Sequence, residues 1–420
     1  MNAVFALVDC ENFYVSCERV FAPSLRHRPV AVLSNNDGCV IARSSEVKAA
    51  GVPMGAPYFK WEEELDEMNT AIRSSNYALY GDMSRRVMRE LEAEALGIER
   101  YSIDEAFLTL PALSRPDLYR QARQIRRRVR RHQGVPIRVG IGPTKVLAKV
   151  ADERAKAGDG LYVCPSGDTL TAVLDDLPVE EVWGIGSAHA NHLNQHGVET
   201  AADVRRLPDA WIRRHLTVVG LRLAMELRGT PCLSLDEAPQ PRKSMIRSRS
   251  FSGRVRAKSE LREAVSKHAQ RAAEKLREEG LVAGQLEVSI TTKRFGDPPH
   301  YSNAASTGLQ PATHHTPSLL DAAGTLLDAI YREGPAYKKA GVALQALRPE
   351  DAGQGHLFRE ASSEDDALMD AVDRINQTMG QGTVGFAAAG VAGERDWTME
   401  RKIRSPHYTT RWTDLPVVQA

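Results

Sequence analysis

Residues 3–8 (AVFALV) are apolar without a break, and the run stops at Asp9. A run that short predicts a buried strand, and this one delivers a carboxylate at its C-terminal end. A helix follows through Cys17 and Val20 and stops at Pro23. Residues 29–33 (PVAVL) and 39–42 (CVIA) predict two more strands, joined by the turn-rich Ser34-Asn35-Asn36-Asp37-Gly38. Gly51, Pro53, Gly55 and Pro57 break the segment from Ser44 to Trp61, and a helix is expected around 78–96. Ile98 to Leu110 (IERYSIDEAFLTL) predicts a β-hairpin with Asp104 and Glu105 at its tip. Ser114, with an acid three residues on at Asp117, marks a helix start. Leu118, Ala122, Ile125 and Val129 repeat at helical spacing until Gly134. Val135 to Ile141 is the next strand, and Pro143 opens a helix with Leu147, Val150 and Ala151 on its apolar side. This order, with an insert at 25–75, implies an α+β sheet covered by helices on one face.

Residues 178–232 are helical in pattern, with Trp183-Gly184-Ile185-Gly186 between helices, and Pro239-Gln240-Pro241 reads as a linker. From 243 to 347, strands at 286–295 and 339–348 alternate with helical stretches near 258–279 and 317–332, which predicts a second small α+β domain. Beyond Pro349 come an acidic linker and a Gly/Ala-rich tail with no clear element. At ~150 residues per domain, a chain of 420 residues makes about three units. No apolar run approaches the ~18 residues of a membrane span. The N-terminus meets Asp9 with no basic stretch before it, so no secretory signal is expected. The five cysteines (10, 17, 39, 164, 232) contain no C-x-x-C pair, which argues against both a disulfide framework and a zinc site and points to a reducing cytoplasm.

The net charge of +1 averages over unlike regions. Residues 241–300 carry 14 Lys+Arg against 7 Asp+Glu, residues 120–131 hold seven arginines, and 350–373 are acidic. Asp9, Asp104 and Glu105, all at strand ends, would repel one another unless a cation joined them. Mg²⁺ takes one or two carboxylates plus substrate phosphates, and a pair of such ions supports in-line phosphoryl transfer. The competing reading is an exposed, acid-tipped hairpin. Lys145 and Lys149, four apart at a helix start, share one face that suits a triphosphate, or are two solvated lysines. Gly140 to Lys145 lacks the P-loop spacing. Gly184 and Gly186 could aim backbone N–H groups at a DNA phosphate, or form an ordinary turn.

Five segments in order resemble the Y-family translesion DNA polymerases, and within that family the UmuC-type branch, which supplies the catalytic subunit of bacterial DNA polymerase V. They are DCENFY (9–14), SNNDGCVIAR (34–43), SNYALYGDMS (75–84), YSIDEAFL (101–108) and VGIGPTKVLAK (139–149). The tail segment 397–412 (WTMERKIRSPHYTTRW) resembles the C-terminal region of the same branch. The resemblance implies a right hand: palm at 1–24 and 75–165, small fingers at 25–74, thumb with helix-hairpin-helix at 166–235, and basic little finger at 243–348. It implies an error-prone polymerase of the SOS response, holding two Mg²⁺ ions. Asp9 and Asp104 would ligate both ions, Glu105 the one that activates the primer 3′-hydroxyl, and the Cys10 carbonyl would also touch a metal.

By the same resemblance Tyr14 is a steric gate against ribose and Lys48 and Lys149 serve the triphosphate, to which the shared helix face adds Lys145. Gly184, Gly186, Arg247 and Arg249 serve DNA. Ser45 stands where many members carry a tyrosine, which removes one phosphate contact. Gln354, Leu357 and Phe358 (in QGHLF) resemble a sliding-clamp motif, although Gly355 replaces a common leucine. A UmuD′-like dimer and a RecA filament are the partners expected besides primer–template DNA and dNTP. Two other classes compete. A two-metal nuclease or cyclase has no use for Tyr14 or the basic segment, and a catalytically weak repair scaffold has no use for three clustered acids.

Overall fold

The computed structural model describes residues 3–236, 241–293, 300–352, 363–380, 382–390 and 400–415. They fall into two compact units, Met1–Pro239 with Lys402–Ala420, and Gln240–Arg401.

The first unit is built on β1 (Val4–Cys10), followed by α1 (Phe13–Phe21). A small three-stranded sheet follows: β2 (Val30–Leu33), β3 (Val40–Arg43) and, after α2 (Ser45–Ala49) and α3 (Glu62–Glu67), β4 (Ala71–Ser74). Strand β2 is central, antiparallel to β3 and parallel to β4. Next come α4 (Tyr77–Glu92), β5 (Gly97–Arg100), β6 (Glu105–Leu110), α5 (Arg115–Gln133), β7 (Ile137–Gly142), α6 (Lys145–Ala157) and β8 (Leu161–Val163). The main sheet runs β5-β6-β1-β7-β8, so the strand that opens the chain ends up in the middle.

Alternation along β1 divides its residues between two faces. Ala6, Val8 and Cys10 join the larger core, which receives Leu79, Met83 and Val87 from α4 and Leu118, Ala122, Ile125 and Val129 from α5. Full burial of each such branched side chain contributes about 1.5–3 kcal/mol. Ser114 caps α5 by accepting the Asp117 N–H, and Gly134, at φ 72°, ends it in the left-handed region. The arginines of α5 stay on its outer side, where Arg128 pairs with Glu90 and Glu94.

Helices do not cover one face only, as the sequence pattern implies. Leu7 and Phe107 point the other way and meet Ala148 of α6. Helix α6 lies almost on the backbone of β7. A Cβ at Gly140 would fall 2.2 Å from the Asp152 nitrogen, and one at Gly142 would fall 2.7 Å from the Ala148 nitrogen. Glycine at alternate positions of β7 is what lets the helix settle there.

The unit continues as helices α7 (Gly167–Asp175), α8 (Ser187–Asn194), α9 (Ala201–Arg206) and α10 (Asp209–Leu227) around Leu170, Leu174, Leu193, Val204 and Ile212. A capping box between Thr200 and Asp203 starts α9, and α10 kinks at Thr217, whose φ is 64°. The tail then contributes. Ser405 is buried, its hydroxyl donates to Glu18 Oε1 (2.9 Å), and the Asn76 amide donates to the Ser405 and Pro406 carbonyls (3.1 and 3.0 Å). Tyr408 stacks on Phe21 at 5.0 Å. A segment without hydrophobic periodicity thus closes the core around α1.

The second unit is a four-stranded antiparallel sheet in the order β11-β10-β12-β9. Its strands are β9 (Ser244–Val255), β10 (Leu281–Thr292), β11 (Ser302–Thr313) and β12 (Tyr337–Pro349). Helices α11 (Lys258–Glu278) and α12 (Thr316–Ile330) pack on one face through Leu261, Ala272, Leu276, Leu319 and Leu327. The two inner strands and both helices match the sequence expectation. The two edge strands do not, because SMIRSRSFSGRV and SNAASTGLQPAT carry too few apolar residues to signal a strand. Helix α13 (Ser363–Met379) also lies where no element was expected, held by a two-point ion pair between Arg277 and Asp373 (2.6 and 2.9 Å).

Candidate active site

Antiparallel register places Asp9 opposite Glu105 on one side and opposite Arg138 on the other. Asp104 sits in the turn just before β6, and its carbonyl accepts the Cys10 N–H at 2.9 Å. The Ser102 hydroxyl donates to Asp104 Oδ1 (2.6 Å) and accepts the Glu105 N–H (3.0 Å), so this turn brings two adjacent acids to the end of β1. Burial pushes the Asp9 carboxyl up to about 8; Arg138 pulls it down, while Asp152, Glu105 and Asp104 push it further up.

Protein cations stand against these acids. Arg138 Nη2 lies 2.9 Å from Asp9 and 3.1 Å from Asp152. Lys149 Nζ lies 2.9 Å from Glu105 and 4.9 Å from the centre of the Tyr101 ring. Lys145 shares the helix face of Lys149, yet it is buried, pairs with Glu99 and sits over Phe107. It is not a solvated lysine. Wholly buried Glu226 accepts the N–H groups of Val146 (3.2 Å) and Leu233 (2.9 Å), which fixes the start of α6 to α10. Lys48, on α2, is exposed; partial burial and the charges of Arg43, Lys156 and Arg138 lower its pKa.

Three carboxylates of hard oxygen character stand at this end of the sheet, Asp9 facing Glu105 in register and Asp104 in the adjoining turn, and burial, opposed by Arg138, makes the Asp9 carboxyl hold its proton more tightly. That donor set fits a divalent ion such as Mg²⁺. Cys10 can offer only its backbone: its thiol is buried and its pKa is raised well above the usual range, by burial first and by Asp9 next. Tyr14 projects from the first turn of α1 and stacks on Tyr80 at 4.3 Å, with Tyr77 edge-on at 6.0 Å. Burial pushes its hydroxyl up to about 12.

The other sequence-derived residues lie apart from this cluster. Gly184, at φ 97°, needs glycine, since a Cβ would also meet Leu223 at 2.8 Å; Gly186 faces open space at the start of α8. Arg247 and Arg249 lie on edge strand β9 opposite Val342 and Ala340, which are buried, so they flank the helix side of the sheet. Gln354, Leu357 and Phe358 lie outside the described residues. Sequence reasoning missed Ser102, Arg138, Asp152 and Glu226. For Arg138 a signal existed: a charge between Ile137 and Val139, on the same side of the strand as Gly140.

Residues 8–153 match the model of the impB/mucB/samB family, and 242–357 match that family's C-terminal domain. Residues 366–418 match a domain of unknown function, DUF4113. The chain is 43% identical to Protein SamB of Salmonella typhimurium over 425 residues, covering 99% of this chain and 100% of the relative. It is 41% identical to Protein UmuC of Salmonella typhimurium strain LT2 over 420 residues, covering 98% and 99%. With DNA polymerase IV of Corynebacterium diphtheriae it shares 34% identity over 221 residues, covering 51% and 48%.

Proposed function

Because the chain belongs to the impB/mucB/samB family, the UmuC-like Y-family polymerases, we propose that it is an error-prone, DNA-directed DNA polymerase. It extends a primer 3′-end opposite damaged template during the SOS response. The observation that carries this reading is the register that sets Asp9 against Glu105, with Asp104 in the adjoining turn and Lys149 paired to Glu105. In this reading the main sheet with its helices is the palm, the β2–β4 insert the fingers, α7 to α10 the thumb and the second unit's sheet the little finger.

Asp9, Asp104 and Glu105 hold the two Mg²⁺ ions, which, when bound, activate the primer 3′-hydroxyl and neutralise charge on the transferred and leaving phosphates. Arg138 orients the Asp9 carboxylate and favours its ionised form. Lys149 offers its ammonium to the triphosphate, with Lys48 a second cation from the fingers side. Lys145, engaged by Glu99, positions the hairpin that carries Asp104 and Glu105. Tyr14, wedged against Tyr80, blocks a ribose 2′-hydroxyl. Gly184 and Gly186, with Arg247 and Arg249, contact DNA phosphates, where charge neutralisation supplies affinity. Gln354, Leu357 and Phe358 dock a sliding clamp, and a UmuD′-like dimer and a RecA filament join the chain in the cytoplasm. Among the described residues no helix is long and apolar enough to cross a membrane.

The test is primer extension across an abasic site by the purified chain, with and without those partners. Asp104→Ala and Glu105→Ala are expected to abolish nucleotide addition while binding to primer–template DNA survives. Near-normal extension by either variant overturns the assignment. DNA binding without extension by the native chain, under every partner condition, favours the scaffold reading instead.

A further inference from the structure

The cysteine count argued against a zinc site, but it does not bear on imidazoles. Three of them meet in the α7–α10 segment. His192 lies in the last turn of α8, His196 in the turn just after it, and His215 on the first half of α10. Their ring centres are 4.6, 5.2 and 5.4 Å apart, and one ligand nitrogen of each lies within 4.8 Å of the others. Three imidazoles bound tetrahedrally at 2.0–2.1 Å place their ring centres roughly 5 Å apart and their nitrogens roughly 3.3 Å apart. His192 Nε2 and His215 Nδ1 are already 3.0 Å apart.

We propose that His192, His196 and His215 form a three-histidine site for a zinc-class divalent cation that fastens α8 to α10.

Two further features are those of a prepared ligand set. The His196 Nδ1 lies 2.8 Å from the His192 carbonyl. A carbonyl can only accept, so His196 carries its proton on Nδ1 and keeps the Nε2 lone pair for a metal. This is the usual arrangement of a metal-bound histidine, whose second nitrogen is engaged by a backbone or carboxylate acceptor. Trp211 then fixes the partner ring: it stacks on His215 at 4.2 Å and 18° and meets His196 edge-on at 5.5 Å. Imidazole-only ligation selects zinc, copper, nickel or cobalt over magnesium or calcium, so the site does not compete with the carboxylates for the same ion. His196 is exposed and the other two are half-buried, which lets the ion enter from solvent and keep a water as fourth ligand. The tie falls two residues before the kink at Thr217, where the backbone of α10 leaves helical geometry. A metal there holds α8 against the first half of α10 despite the break.

The experiment uses the full chain with Co²⁺ as probe, followed by Zn²⁺. Tetrahedral nitrogen ligation of Co²⁺ gives intense visible absorption, whereas Co²⁺ among carboxylate and water oxygens gives only weak bands. Stoichiometric Co²⁺ is expected to produce the intense band, and Zn²⁺ to displace it and raise the melting temperature. His196→Gln, at an exposed position, and His215→Gln are expected to lose affinity on the order of tenfold or more, as removal of one of three ligands requires. His189→Gln, an exposed histidine of the same helix outside the cluster, leaves the band intact. Absence of the band at stoichiometric Co²⁺, or its persistence in the His196→Gln/His215→Gln double variant, overturns the proposal and leaves a hydrogen-bonded histidine pair.

Discussion

Arg138 binds Asp9 and Asp152 at once, with one guanidinium nitrogen 2.9 Å from the first carboxylate and 3.1 Å from the second. The Asp152 side chain is almost wholly buried, at 5% exposure, and the arginine is its ion-pair partner. Arg138 is therefore a positioning residue for the site, anchored on α6 and reaching to the end of β1.

Replacing Arg138 with leucine removes the paired cation that lowers the Asp9 pKa, so the carboxyl holds its proton to higher pH. The pH profile of primer extension is expected to shift to the alkaline side, with loss of rate at neutral pH and partial recovery above it. Breaking the pair also leaves Asp152 uncompensated, a cost of about 3–5 kcal/mol for a fully buried ion and less here. Arg138→Lys is expected to restore part of the profile. An unshifted profile would show that the arginine serves stability alone.

Asp9 also makes the metal-free protein's stability depend on pH. Its carboxyl is raised from an ordinary 3.8 to about 8 in the folded chain. Between those values the folded chain holds one proton more than the unfolded chain, so this contribution is complete below the lower value and is lost as pH rises through the upper one. Denaturation midpoints without divalent ions are expected to fall over that window and to level off above it, and Asp9→Asn is expected to flatten the slope. Mg²⁺ affinity is expected to rise over the same window, because the ion displaces the proton.

Tyr14→Ala is expected to admit ribonucleotides. The same change removes the stack on Tyr80, worth about 0.5–1.5 kcal/mol beyond area burial. Comparing rNTP with dNTP incorporation separates the two effects. An unchanged ratio with a lower melting temperature makes Tyr14 a packing residue.

Gly140→Ala places a methyl group 2.2 Å from the Asp152 backbone nitrogen, so α6 must lift from β7. Overpacking of this kind costs about 1–3 kcal/mol. Lys149 moves with the helix, and extension is expected to fall more than thermal stability does. Gly38→Ala, whose nearest neighbours are 3.9 Å away, is the control.

Ser405→Ala removes one of the two hydroxyls that donate to Glu18, the other being Tyr80 at 2.8 Å. Burial raises the Glu18 pKa, and these two hydrogen bonds oppose it. A loss of about 1–3 kcal/mol in urea denaturation is expected from a partly unsatisfied buried acid.

The three acids were legible because each ends or begins a strand whose apolar pattern is plain, and the hairpin between Ile98 and Leu110 made Asp104 and Glu105 neighbours. Helical spacing put Lys149 on one face with Lys145, but it left two solvated lysines as the competing reading, and only the resemblance singled Lys149 out. Arg138 and Asp152 were not legible, because only register and the approach of α6 bring them to Asp9, and both are set by glycines that say nothing about partners. Lys145 shows the limit of spacing: it shares a face with Lys149 and has a different fate, since Glu99 takes it. Edge strands β9 and β11 were missed for want of apolar residues, and the tail because KIRSPHYTTRW packs by hydrogen bonds and one stacked ring rather than by a periodic face.

The junction of Glu18 with Ser405 spans 387 positions of chain. Asp9, Asp104, Glu105 and Lys149 all lie in the first 149 residues, yet Glu18 of α1 does not gain this partner until Ser405 arrives. During synthesis at ~5–20 residues per second, that interval lasts on the order of tens of seconds. Throughout it the entire second unit is made and can fold. The nascent chain thus has the whole of its second unit before it can complete the first, and a chain that ends in between lacks the segment that closes on Glu18.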